Sequence, residues 1–272
     1  MANMTNLYDS SKCTACRGCQ VACKNWNQLP AKIDPFKGNY QTKESTDGDT
    51  YTIVKMTEYE HPVDGIQWKF AKFQCMHCLE PECMKACPRG AYSKTETGAT
   101  NHDPSKCIGC QYCTYACPFE VPKYRKREDK VSKCTLCADR TAAGLKPACV
   151  TTCAPGALEY GEREELLAKA AERVKYLQMN GFPNATIYGR TELGGLNKIY
   201  ILTDSPDKFG LPVNPQPYGQ VNFWQNWVQP YFGWLIPIAL AGSAVSFVTT
   251  RILANKHAAH DEHTEHGEGV SE

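Results

Sequence analysis

Residues 107–118 read CIGCQYCTYACP: cysteines at 107, 110 and 113, a fourth at 117, and a proline directly behind it. Three thiolates spaced in this way on one tight turn can reach three irons of one small cube. The fourth, carried into a following helix, points away. This C-x2-C-x2-C-x3-C run is the ligand spacing of a 4Fe-4S cluster. Cys13, Cys16, Cys19 and Cys23 repeat it without change. Cys75, Cys78, Cys83 and Cys87 widen one loop to C-x2-C-x4-C-x3-C and are again followed by a proline, Pro88. Cys134, Cys137, Cys149 and Cys153 open as C-x2-C, detour through eleven residues and close as C-x3-C.

The 16 cysteines therefore divide into four sets of four, enough for four 4Fe-4S clusters with iron held through the same sixteen side chains and none left over. Taken alone, the set that begins at Cys134 would pass for a structural zinc site; three iron-sulfur sets beside it favour the common chemistry. A disulfide framework would set neighbours two residues apart competing for mispaired bridges. The rest of the composition is ordinary for a globular chain: 272 residues, 42% hydrophobic and 22% charged. Lys and Arg number 30 against 29 Asp and Glu, a net charge of +1 that points to no nucleic-acid partner. Four oxidised clusters at roughly −2 each would move that value to roughly −7. Lys12, Arg17, Lys24, Lys85, Arg89, Lys106 and Lys133 lie beside or within the motifs. They are expected either to offset that negative charge or to be ordinary surface groups.

Between the first two sets, 42–50 is polar, and Tyr51–Met56 and Gln67–Phe73 read as strands, rich in aromatic and β-branched residues. Glu162–Met179 reads as a helix with Leu167, Ala170, Val174 and Leu177 on one face, Glu165 placed to pair with Lys169, and Gly181 ending it. Lys198–Thr203 reads as a strand. Met1–Lys12 lacks a charged start followed by an apolar run, so no cleavable signal is expected.

The last quarter changes character. No charged residue occurs from Phe209 to Thr250. Pro212, Pro215 and Pro217 mark a linker; Trp224, Trp227, Tyr231 and Trp234 then gather at the start of an apolar stretch from Val228 to Thr250. At 1.5 Å per residue that stretch reaches about 35 Å, enough for a hydrocarbon core of ~30 Å. The aromatic belt at one end, with Arg251 and Lys256 at the other, predicts a single-pass membrane helix with a cytoplasmic C-terminus. Pro237 is placed to kink it, and Ala239, Gly242, Ser243 and Ser246 put small residues one turn apart, as close packing on another membrane helix requires. His257, His260, His263 and His266 follow at a three-residue interval in a polar tail. The expected organisation is a four-cluster domain over 1–210, a Pro-rich linker over 211–227, a transmembrane helix over 228–253 and a His-rich tail over 254–272. The expected fold class is α+β: two ferredoxin-like double-cluster units plus one C-terminal transmembrane helix.

The order of the sets and the runs CRGCQVACKNWNQ (16–28), CMHCLEPECMKACPRGA (75–91), CIGCQYCTYACPFEVP (107–122) and KCTLCADRTAAGLKPACVTTC (133–153) resemble the β (iron-sulfur) subunit of membrane-bound formate dehydrogenases. So does GGLNKIYILTDSPDKFGLP (194–212) ahead of a single membrane helix. The cysteine sets are shared with β subunits of other molybdopterin oxidoreductases and some hydrogenases, so the same wiring role in one of those complexes is the alternative. The resemblance implies nested pairing. One cluster would take Cys13, Cys16, Cys19 and Cys153, a second Cys134, Cys137, Cys149 and Cys23, a third Cys75, Cys78, Cys83 and Cys117, and a fourth Cys107, Cys110, Cys113 and Cys87. Spacing by itself supports only the last two, because nineteen residues separate Cys87 from Cys107. The resemblance further implies an electron path from a molybdenum- or tungsten-pterin catalytic subunit through four clusters to a membrane cytochrome b and quinone. The charges that follow the helix, Arg251 and Lys256, put the cluster domain in the periplasm at the inner (cytoplasmic) membrane, and a subunit without its own signal would be carried across folded by a partner's twin-arginine signal.

The residues themselves agree with a non-catalytic role: there is no G-x-G-x-x-G or P-loop and no pattern for a catalytic triad. A free-standing enzyme would need a further cofactor, and a zinc-stapled structural module would carry no acid-labile sulfide.

Overall fold

The computed structural model describes residues 4–31, 33–61, 65–219, 223 and 227–265. The chain divides into two units, Met1–Tyr218 and Gly219–Glu272.

The first unit is organised by a four-stranded sheet in the order β8-β1-β10-β9. Strand β1 (Met4–Asp9) lies parallel to β10 (Lys198–Leu202) and antiparallel to β8 (Leu158–Glu162), while β10 also pairs antiparallel with β9 (Thr186–Tyr188). Side chains alternate across a strand, and the sheet uses both faces. Leu7, Ile199 and Ile201 turn toward α6 (Arg163–Met179) and pack on Leu166, Ala170, Val174 and Leu177. Tyr8, Tyr200 and Leu202 turn the other way, into the core that contains Cys75, Cys117, Cys134 and Cys149. The sequence placed Leu167 on the buried stripe of this helix; Leu166 takes that position and Leu167 packs only partly. Lys169, expected to pair with Glu165, pairs with Glu159 on β8 at 2.5 Å, because the sheet brings that carboxylate within reach of its ammonium.

The pairing of β1 with β8 has the largest consequence for the site. Tyr8 opposite Leu158 and Met4 opposite Glu162 bring the chain leading into Cys13 beside the chain leaving Cys153. The strands read at Tyr51–Met56 and Gln67–Phe73 form a longer hairpin, β2 (Ile53–His61) and β3 (Gly65–Phe73), in register from Ile53 opposite Phe73. Two tyrosines tie it to the sheet: Tyr8 donates to the Phe70 carbonyl at 2.7 Å and Tyr200 to the Lys72 carbonyl at 2.9 Å. Short hairpins β4–β5 (Tyr92–Lys94, Thr100–His102) and β6–β7 (Lys123–Arg125, Lys130–Ser132) frame the third set. Four short helices carry or adjoin the cysteines: α1 (Gly18–Trp26), α2 (Glu82–Lys85), α3 (Tyr112–Ala116) and α5 (Ala148–Thr151); α4 (Ala138–Ala142) follows Cys137.

In the second unit, α7 runs from Gln229 to Glu265, so the helix continues well past the expected boundary at 253 and through His257, His260 and His263. Tyr231–Asn255 is long and apolar enough to cross a membrane and none of its hydrophobic window is buried within the chain. Trp224 and His266 lie outside the described residues.

Candidate functional site

Each C-x2-C step is built the same way. The residue just before the second cysteine takes a left-handed conformation in all four sets: Ala15 (φ 52), His77 (φ 47), Gly109 (φ 71) and Leu136 (φ 56). Three of these are non-glycine residues in a region that costs roughly 1–3 kcal/mol. The turn they make folds the amide back on the preceding sulfur: the backbone N–H of Ala15 donates to Cys13 Sγ at 3.4 Å, that of His77 to Cys75 Sγ at 3.5 Å and that of Leu136 to Cys134 Sγ at 3.4 Å. Arg17 and Gln111 repeat the left-handed turn, both at φ 60, just before α1 and α3. The repeat is a property of the backbone and holds even where the cysteine spacing differs.

The four sets do not stay apart. One cavity is lined by Cys13, Cys16, Cys19 and Cys153. A second is lined by Cys23, Cys134, Cys137 and Cys149. Helix α1 spans the two, because Cys19 and Cys23 stand one turn apart on it. A Cβ at Gly18 would make only ordinary van der Waals contact, 3.6 Å from Cys16 Sγ and 3.9 Å from the Thr152 carbonyl oxygen. Elsewhere, burial raises the thiols of Cys78 and Cys83, and the adjoining sulfurs add to it: Cys75 and Cys117 for Cys78, and Cys117, Cys75 and Cys78 for Cys83. Cys113 is pushed up to about 11 by burial, with Cys87, Cys107 and Cys110 bearing on it. The structure thus lines one cavity with Cys13, Cys16, Cys19 and Cys153 and another with Cys23, Cys134, Cys137 and Cys149, while Cys83 of the second set packs with Cys87, Cys107 and Cys113.

The donor set suits an iron-sulfur cube better than a single ion. Among the described residues no three His, Cys, Asp or Glu side chains converge on one point as a tetrahedral zinc site at about 2.3 Å would require. The cysteines instead stand around the walls of cavities and offer sulfur alone. Burial also holds Cys117 at about 11 and Cys134 at about 12, so the free thiols keep their protons at neutral pH and release them only when iron takes the sulfur. Cys16 and Cys110 are the two exposed cysteines; Cys23, Cys75, Cys83, Cys113, Cys117, Cys134, Cys137 and Cys149 are buried.

Of the seven cations that the sequence placed near the motifs, Lys133 is buried, donating to the carbonyls of Thr100 and Cys134. Lys85 sits at the surface with Glu80 and Glu82, and Lys12 is only partly covered beside Asp9 and Glu159. Arg89 and Lys106 are exposed. Sequence reasoning missed Lys72, which is fully buried on β3 and lines both cavities. The only signal was a lone cation in the apolar run Phe70–Phe73, directly ahead of Cys75.

A profile of the 4Fe-4S dicluster domain matches residues 12–91, and a second 4Fe-4S dicluster profile matches residues 66–163. The formate dehydrogenase-O iron-sulfur subunit of Escherichia coli (strain K12) is 36% identical over 251 residues, 91% of this chain and 81% of that protein. The chain belongs to the formate dehydrogenase iron-sulfur subunit family. The formate dehydrogenase iron-sulfur subunit of Haemophilus influenzae is 35% identical over 97% of this chain and 85% of its own length. Formate dehydrogenase 2 subunit beta (cytochrome c-553) of Nitratidesulfovibrio vulgaris is 31% identical over 75% of this chain and 94% of its own length. As an iron-sulfur subunit of this family, with two dicluster domains and sixteen cysteines, the chain carries four 4Fe-4S clusters. The two profiles follow one another along the sequence, whereas in space the first cysteine set shares its cavities with the fourth.

Two measurements bear on the site. Anaerobically purified protein is expected to hold about sixteen iron and about sixteen sulfide per chain; a reproducible count near twelve with stoichiometric zinc would mean that the set beginning at Cys134 takes zinc. Gly109→Ala is expected to cost roughly 1–3 kcal/mol and to reduce iron content, because a Cβ at Gly109 meets the Asp129 carbonyl oxygen at 2.5 Å. The left-handed φ of 71 adds backbone strain of the kind Ala15 bears at the matching position of the first set, and thermal unfolding with iron analysis of the variant checks the sum.

Proposed function

We propose that this protein is the electron-transferring subunit of a membrane-bound formate dehydrogenase, standing between a molybdenum- or tungsten-pterin catalytic subunit and a membrane cytochrome b that reduces quinone. Bound 4Fe-4S clusters supply one-electron redox chemistry. The chain's own part is to group the ligands, exclude water and set the charge around them.

The observation that carries this reading is the series the cysteines form. Cys13, Cys16, Cys19 and Cys153 share Lys72 with the group of Cys23, Cys134, Cys137 and Cys149. Cys134 is next influenced by Cys75 of the third group, and Cys83 of that group packs with Cys87, Cys107 and Cys113 of the fourth. The two end groups each contain an exposed cysteine, Cys16 in one and Cys110 in the other, while the cysteines of the inner groups are buried apart from the half-buried Cys78. A path that opens to the surface at both ends and is sheathed between them suits transfer between two partners. The proposed ligand sets are the four groups named above. The apolar helix α7 supports a membrane acceptor, and Arg251 near the C-terminal end of its membrane-length span supports a cytoplasmic C-terminus with the cluster unit on the periplasmic side.

The test is purification of the intact complex from detergent-solubilised membranes. A large pterin-containing subunit and a b-type cytochrome should copurify, and formate should reduce the iron-sulfur signals. Copurification with a catalytic subunit that reduces them from another donor, and not from formate, would overturn the formate assignment.

A further inference from the structure

Lys72 is among the largest fully buried side chains of the protein, and the only polar partner of its ammonium among the described residues is Gln74 Oε1. A buried ammonium without a carboxylate carries a desolvation cost of several kcal/mol unless an anion stands close by. Its surroundings supply two such places, since Lys72 lines both the cavity of Cys13, Cys16, Cys19 and Cys153 and that of Cys23, Cys134, Cys137 and Cys149. Four thiolates and an oxidised cube carry roughly −2. Gln74 adds a second feature. It lines the latter cavity, is itself buried, and its Oε1 is taken by Lys72 while its Nε2 is a buried donor with no hydrogen-bond partner.

We propose that Lys72 is the shared counter-cation of the two clusters built on these cavities, raising the reduction potential of both, and that it orients Gln74 to donate from Nε2 to the cluster held by Cys23, Cys134, Cys137 and Cys149. Reduction adds a negative charge to each cluster, so a fixed cation between them favours the reduced form of each. Lys198, equally buried, differs: it donates to Asn6 Oδ1 between the rings of Tyr8 and Tyr200. Burial and then the Lys72 charge drive it toward the neutral amine. The inference rests on the cysteine grouping proposed above.

The experiment is a redox titration of the intact complex followed by paramagnetic resonance, on Lys72→Met, Lys72→Gln, Lys72→Arg and Gln74→Leu. The neutral variants should keep wild-type iron and sulfide, while two of the four signals shift together toward lower potential. At a fixed potential the oxidised-to-reduced ratio of both should rise about tenfold, equivalent to about 59 mV for one electron. Lys72→Arg should restore both midpoints, and Gln74→Leu should shift only the signal that Cys23→Ser abolishes. Should the neutral variants fail to assemble fully while Lys72→Arg assembles, the missing clusters should be those two; loss of the other two would overturn the proposal. Unshifted midpoints, a shift of one signal alone, or an Arg variant identical to Met would overturn it with the cysteine grouping intact. A joint shift of two signals other than those that Cys16→Ser and Cys23→Ser abolish would overturn it through the grouping instead.

Discussion

Cys23→Ser should lower the iron content from about sixteen to about twelve per chain and abolish one paramagnetic signal, that of the cluster proposed on Cys134, Cys137 and Cys149. The signal of the cluster proposed on Cys13, Cys16 and Cys19 should survive. The reason lies in α1, which presents Cys19 to one cavity and Cys23, a turn later, to the other. A serine oxygen is a poorer ligand than a thiolate for iron in such a site. The affected group is an inner one, so electron passage from one exposed end of the series to the other should collapse, while a soluble dye that reaches the surviving end group is still reduced. Loss of the Cys13 signal in this variant, with retention of the other, would show that each set keeps its own fourth cysteine and that the grouping is wrong.

Gly242→Leu combined with Ser246→Leu should cut quinone reduction several-fold and leave all four clusters, and reduction of a soluble dye, unchanged. In lipid the hydrophobic effect no longer drives helices together, and small residues let backbones approach. Within the chain the change is sterically free: a Cβ at Gly242 meets nothing within 4 Å, and both residues are exposed on α7. Any effect must then arise against a partner. Truncation after Gln220 should release the cluster unit from the membrane altogether. Quinone reduction that survives both changes would reduce the helix to a passive anchor and remove the main support for a cytochrome b partner.

Much of this protein was legible in its sequence because ligand spacing is local. The four cysteine sets and their cofactor chemistry follow from residues within a few positions of one another, whatever the rest of the chain does. The helix at 163–179 and the apolar span near the C-terminus were equally readable, since periodicity and hydropathy are properties of contiguous segments. Even there the detail depended on packing: Leu166 rather than Leu167 faces the sheet, and Lys169 meets Glu159 across it. What only the tertiary structure decided is which distant groups share a cavity. Cys153 stands beside Cys13 because β1 pairs with β8, a contact between residues some 150 apart that no local pattern encodes. Lys72 and Lys106 are both lysines close to a cysteine set, and one is buried between two cavities while the other is exposed to solvent. Charge is written in the side chain, but the dielectric around it is made by everything that packs against it.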